Sequence, residues 1–71
     1  MGKKPTKRVY ELLERAYEVE KLAIEAYTHF INTLVEADIA TPEIVEILEK
    51  MILDSLLHKN LVKALIKSLE I

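Results

Sequence analysis

Apolar residues recur along the first half of the chain in alternating steps of four and three, through Val9, Leu13, Ala16, Ala23, Tyr27, Phe30, Leu34 and Ala37. That spacing keeps them on one stripe of a helix. One polar residue, Glu20, stands in the stripe. The second half repeats the pattern through Ile44, Leu48, Met51, Val62, Leu65 and Leu69, with Ser55 and His58 as its polar members. Flanking positions Leu12, Tyr17, Val19, Ile24, Ala26 and Ile31 are apolar too, so the predicted stripe on the first helix is wider than a two-stranded coiled coil requires.

Punctuation sets the boundaries. Pro5 disfavours helix before it and Thr6 can act as an N-cap, so the first helix is expected from about residue 7 to about residue 38. Pro42 suits the first position of a new helix capped by Thr41, with Glu43 and Glu46 early and Lys59, Lys63 and Lys67 late, as the helix dipole favours. The second helix is expected over about 42–68. Residues 1–6 read as a disordered basic tail and 7–71 as one helical hairpin. The short connection makes the helices antiparallel neighbours, and the broad stripe predicts an all-α hairpin that dimerises into a four-helix bundle.

A turn centred near Ile39 brings residues whose numbers add to about 78 to one height, since both helices rise by about 1.5 Å per residue. Glu20 and His58 meet that condition, and Ala23 comes level with Ser55. A buried carboxylate is costly without a partner, and an imidazole is a natural one. The pair then has two readings: a hydrogen bond that fixes helix register, or an oxygen and a nitrogen donor for a metal ion.

Composition narrows the alternatives. A chain of 71 residues with 51% hydrophobic residues and no cysteine has neither disulfides nor thiolate metal sites to stabilise a single helix pair, which makes association the expected remedy. A net charge of -2, with basic residues clustered only over Lys3–Arg8, argues against nucleic-acid binding. The charge-free run Ala26–Val35 is too short to cross a bilayer, and no signal-peptide core stands at the N-terminus, so a cytoplasmic, unexported protein is expected. The open end of the hairpin, residues 1–21 and 59–71, carries an excess of Lys and Arg, whereas residues 22–58 carry only Lys50 against seven acidic residues (Glu25, Glu36, Asp38, Glu43, Glu46, Glu49, Asp54). Antiparallel stacking of two hairpins lays unlike charges together.

The run Glu20-Lys21-Leu22-Ala23-Ile24-Glu25-Ala26-Tyr27, with Ser55-Leu56-Leu57-His58 on the second helix, resembles the ferritin-like, rubrerythrin-type carboxylate proteins, in particular their two-helix members that pair into a four-helix bundle. The resemblance implies Glu20 and His58 as metal ligands, with iron or manganese as the metal. Ser55 stands where the family has the bridging Glu of its Glu-x-x-His motif. Asp54 is a further candidate ligand, although it points about 100° away from Ser55 around the helix. A weak metal-dependent oxidoreductase is the only enzymatic activity this implies, and no activity is the preferred expectation. The alternative is a structural or interaction hairpin in which Glu20 and His58 only fix register. Neither a Ser-His-Asp arrangement nor a Gly-rich phosphate loop is present. His29, Tyr10, Tyr17, Tyr27 and Met51 read as surface or packing residues.

Overall fold

The structure, a computed structural model, describes residues 6–70. Apart from Thr6, the expected basic tail lies outside the described residues. Two helices make up the fold, α1 (Lys7–Glu36) and α2 (Pro42–Leu69). Each begins on the expected cap. The Thr6 side chain accepts the Val9 N–H at 3.3 Å, and Thr41 accepts that of Ile44 at 3.2 Å, so one otherwise unpaired donor is satisfied at each N-terminus. Pro42 follows Thr41 as the first residue of α2 and loses nothing there, because its position has no helical partner to donate to.

α1 ends two residues earlier than expected, and the cause is local. Asp38 takes the left-handed conformation, with φ of 59°. That turn lets the Asp38 N–H donate to the Val35 carbonyl at 3.0 Å and the Ile39 N–H donate to the Leu34 carbonyl at 3.1 Å, satisfying two terminal carbonyls. Glycine usually holds this position, and aspartate is among the few other residues that tolerate it. α2 runs one residue beyond the expected end.

The helices pack through one seam. In α1 the least exposed positions include Tyr10, Leu13, Tyr17, Glu20, Ile24, Tyr27, Ile31 and Leu34; in α2 they include Val45, Leu48, Ile52, Ser55, Lys59, Val62, Ile66 and Leu69. The three-four alternation of both sets is that of antiparallel helices in left-handed bundles. Ties along the seam fix the register. The Tyr10 hydroxyl donates to the Leu69 carbonyl at 2.9 Å at the open end. The Lys59 Nζ lies 5.8 Å from the centre of the Tyr17 ring. Glu20 and His58 meet one turn further in, as the expected levels require.

This seam differs from the expected one by a rotation of each helix. It keeps Leu13, Ala16, Glu20, Ala23, Tyr27 and Leu34, and Leu48, Ser55, Val62 and Leu69, but on α1 it adds residues 10, 17, 24 and 31 while Val9 and Phe30 are exposed. On α2 it adds 45, 52, 59 and 66 in place of 44, 51, 58 and 65. His58 therefore does not face the hairpin core, and Val9, Phe30, Ile44, Met51 and Leu65 are exposed with it. The physical reason is the width of the apolar stripe. A two-helix contact covers only its central strip, and the strip that pairs best here carries three tyrosines and the aliphatic stem of Lys59.

The result buries little. Among the described residues only Leu48 and Ser55 are buried, and neither completely. The radius of gyration is 16.4 Å, against about 11 Å for a compact domain of this length. Replacing Asp38 with glycine removes the left-handed backbone cost and a negative charge at the C-terminal end of α1. Asp38→Gly is expected to raise the unfolding free energy by up to about 1 kcal/mol in urea titrations, with Asp38→Val lowering it. A loss of stability in the glycine variant would mean that the Asp38 side chain makes a contact that outweighs both effects.

Candidate functional site

The central layer of the hairpin is polar. Glu20 sits on the α1 seam with its side chain one quarter exposed (25%), and its Oε2 lies 3.4 Å from Nδ1 of His58, whose side chain is 57% exposed. The two residues come together because their levels match. His58 occupies the position just before the seam on α2, so it reaches Glu20 from the rim and stays open to solvent on its far side. An ion pair with one partner this exposed contributes little to stability, about 0–1 kcal/mol at most. Asp54, one turn before His58 and also on the rim, is exposed and makes no contact with Glu20 that qualifies as a hydrogen bond or ion pair. Among the described residues no group of three or more His, Cys, Asp or Glu side chains is placed to hold a metal ion.

Lys59 is the residue that reading the stripes alone misses. It occupies an inner seam position on α2 and is partly buried, running its methylene stem along the interface to end near the face of Tyr17. A lysine in an apolar stripe counts against that stripe, whereas His58 in the neighbouring one does so less. The useful signal was Tyr17, an aromatic residue nearly level with Lys59. Ser55 faces α1 beside it, and its small side chain allows close approach at the level of Ala23.

The larger feature is the face on which His58 stands. The residues just before the seam in α1 are Val9, Leu12, Ala16, Val19, Ala23, Ala26, Phe30 and Thr33. In α2 they are Ile44, Ile47, Met51, Asp54, His58, Leu61, Leu65 and Ser68. Reversing a helix and turning it to face its neighbour changes handedness twice, so both sets lie on the same face of the hairpin. The opposite face provides the check. It holds the residues just after the seam, and there Glu14 and Glu18 of α1 share a groove of about 490 Å³ with Lys63, Lys67 and Glu70 of α2. Tyr17 and Ile66 also line that groove, and its charged residues are of both signs. On the first face only Thr33, Asp54, His58 and Ser68 are polar, and its large members are exposed: Leu12 by 46%, Phe30 by 50%, Ile47 by 59% and Leu61 by 58%.

Nine of the fifteen exposed large apolar residues among those described lie on this strip, which makes it the main exposed apolar surface of the hairpin. No helix among the described residues is long and apolar enough to cross a membrane. Comparison with protein-family models, with curated proteins and with solved structures gave no match. The hairpin thus stands on its own geometry, and no family is identified for it.

The Tyr17–Lys59 contact has a direct test. A double-mutant cycle of Tyr17→Leu and Lys59→Met is expected to give a coupling of about 0.5–1 kcal/mol, the range of a partly exposed cation–π pair. Additive effects of the two substitutions would show that the ring and the ammonium group are neighbours without interaction.

Proposed function

We propose that the chain is a self-assembly module, one half of an antiparallel four-helix bundle whose other half is a second copy. The observation that carries this reading is the apolar face before the seam, which the hairpin builds along its whole length and leaves uncovered. Magnitudes support it. The chain exposes 5823 Å², whereas a compact folded monomer of 8.2 kDa exposes about 4,500 Å². Burying that excess in each of two chains gives an interface of the size found in obligate dimers. Within the bundle Glu20 and His58 become interior, and their pairing fixes which residues lie level, the role best attested for buried polar groups in helical assemblies.

A second reading, binding of a metal ion by the ferritin-like residues, is favoured by one distance. Oε2 of Glu20 and Nδ1 of His58, an oxygen and a nitrogen donor of the kinds iron and manganese take, lie 3.4 Å apart. One chain supplies only these two donors in one layer, and among the described residues no third His, Cys, Asp or Glu joins them. Iron or manganese binding would therefore require the second copy, so this reading rests on the first.

Sedimentation tests the assembly. At about 10 μM the chain is expected to sediment as a dimer, and Ile47→Glu with Leu61→Glu is expected to weaken association at least tenfold, since two buried charges then face the interface. A monomeric parent chain would contradict the proposal. For the metal reading, protein purified after iron or manganese supplementation should hold metal that His58→Leu removes without dissolving the dimer. A metal-free protein whose melting temperature is unchanged by chelator would exclude it.

A further inference from the structure

If two copies meet through the apolar face, as the self-assembly reading has it, the residues on that face also determine how they meet. Resting on that reading, we infer that the hairpins join head to tail, α1 against the partner's α1 and α2 against the partner's α2, in the register that sets Asp54 beside His58 of the partner subunit. Two-fold pairing of this face allows two arrangements. With tips together, α1 lies over the partner's α2. With tips apart, like helix lies over like helix.

The spacing on α2 suits the second. Its exposed stripe steps by three and four residues alternately and reads the same in either direction, so an antiparallel copy matches it position for position. Ile47 comes level with Leu65 of the partner subunit, Met51 with Leu61 of the partner subunit, and Asp54 with His58 of the partner subunit. The only two ionisable residues of the stripe thus meet each other, the large apolar residues Ile47, Met51, Leu61 and Leu65 meet in pairs, and Ile44 meets Ser68 of the partner subunit. The centre of this register falls between Ser55 and Leu57, at the middle of α2 (Pro42–Leu69), so it also gives full overlap of the two hairpins.

α1 agrees within half a turn. Full overlap sets Phe30 between the partner's Leu12 and the partner's Ala16 on the apolar strip. It also accounts for a conflict within α1. Lys7 and Arg8 stand at its N-terminus and Glu36 at its C-terminus, with no acidic residue in the first turn and no basic residue in the last, so these charges oppose the helix dipole. Head to tail, Arg8 comes level with Glu36 of the partner subunit, and the opposing charges become cross-chain neighbours. With tips together, the acidic ends of both chains face each other.

The chain has no cysteine, so engineered disulfides read the register directly. Residues 51 and 61 lie about 15 Å apart along one helix, too far for a bond within the chain. The Met51→Cys, Leu61→Cys double variant is expected to oxidise to a covalent dimer in high yield, while each single variant stays unlinked. Spin labels on an Ile39→Cys variant give an independent measure that leaves the interface intact, with an expected tip-to-tip distance of about 45 Å. A dimer that sediments normally but shows a tip-to-tip distance below about 25 Å, or that crosslinks equally through the single variants, overturns the head-to-tail register and leaves self-assembly standing. A chain that sediments as a monomer overturns both.

Discussion

Two helices packed side by side share one seam, and one seam cannot cover the apolar surface that this chain carries. Each helix has two adjacent apolar strips, displaced from one another by a single residue, and the hairpin buries only one strip of each. Much else in the structure stems from that shortfall. Only two of the described residues are buried, the molecule is long and thin, and an apolar surface runs from Val9 and Leu65 near the open end to Phe30 and Ile44 near the tip. Hydrophobic stabilisation scales with area removed from water, so the larger part of what this sequence can gain lies outside the single chain.

The polar layer acquires its meaning from the same geometry. Glu20 lies on the inner strip and His58 on the outer one, and their contact at 3.4 Å bridges the two. In an isolated hairpin this is a weakly stabilising pair at the edge of solvent. In a bundle it becomes an interior polar layer, flanked by Ser55 and by the Tyr17–Lys59 contact, and any shift of the helices along one another would strand a carboxylate among apolar side chains. Such a layer opposes wrong registers more than it strengthens the right one. Asp54 is exposed and forms no ion pair with either residue of the layer within the chain.

Much of the hairpin was legible in the sequence, because its determinants are local. Thr6, Thr41 and Pro42 mark both helix starts by hydrogen-bonding chemistry that needs no tertiary partner. The short connection determined the antiparallel order and, with it, the levels at which Glu20 and His58 meet. The pattern did not disclose which of two adjacent strips would turn inward. Periodicity locates an apolar stripe on a helix, but the choice within a broad stripe depends on tertiary packing. Here that choice followed the fit of Tyr10, Tyr17 and Tyr27 against α2 and the capacity of Lys59 to bury its stem while keeping its charge at the rim. The left-handed Asp38 was also hidden, since aspartate only tolerates a conformation that glycine would have advertised.

If the proposed self-assembly holds, folding and association of this chain are one event, since the hairpin alone leaves an apolar face in water. Thermal unfolding followed by circular dichroism across a hundredfold range of protein concentration is the decisive measurement. A linked process predicts a midpoint that rises steadily with concentration. A midpoint independent of concentration, with full helicity at the lowest concentration, would show that the single hairpin is sufficient and that folding does not depend on a second copy.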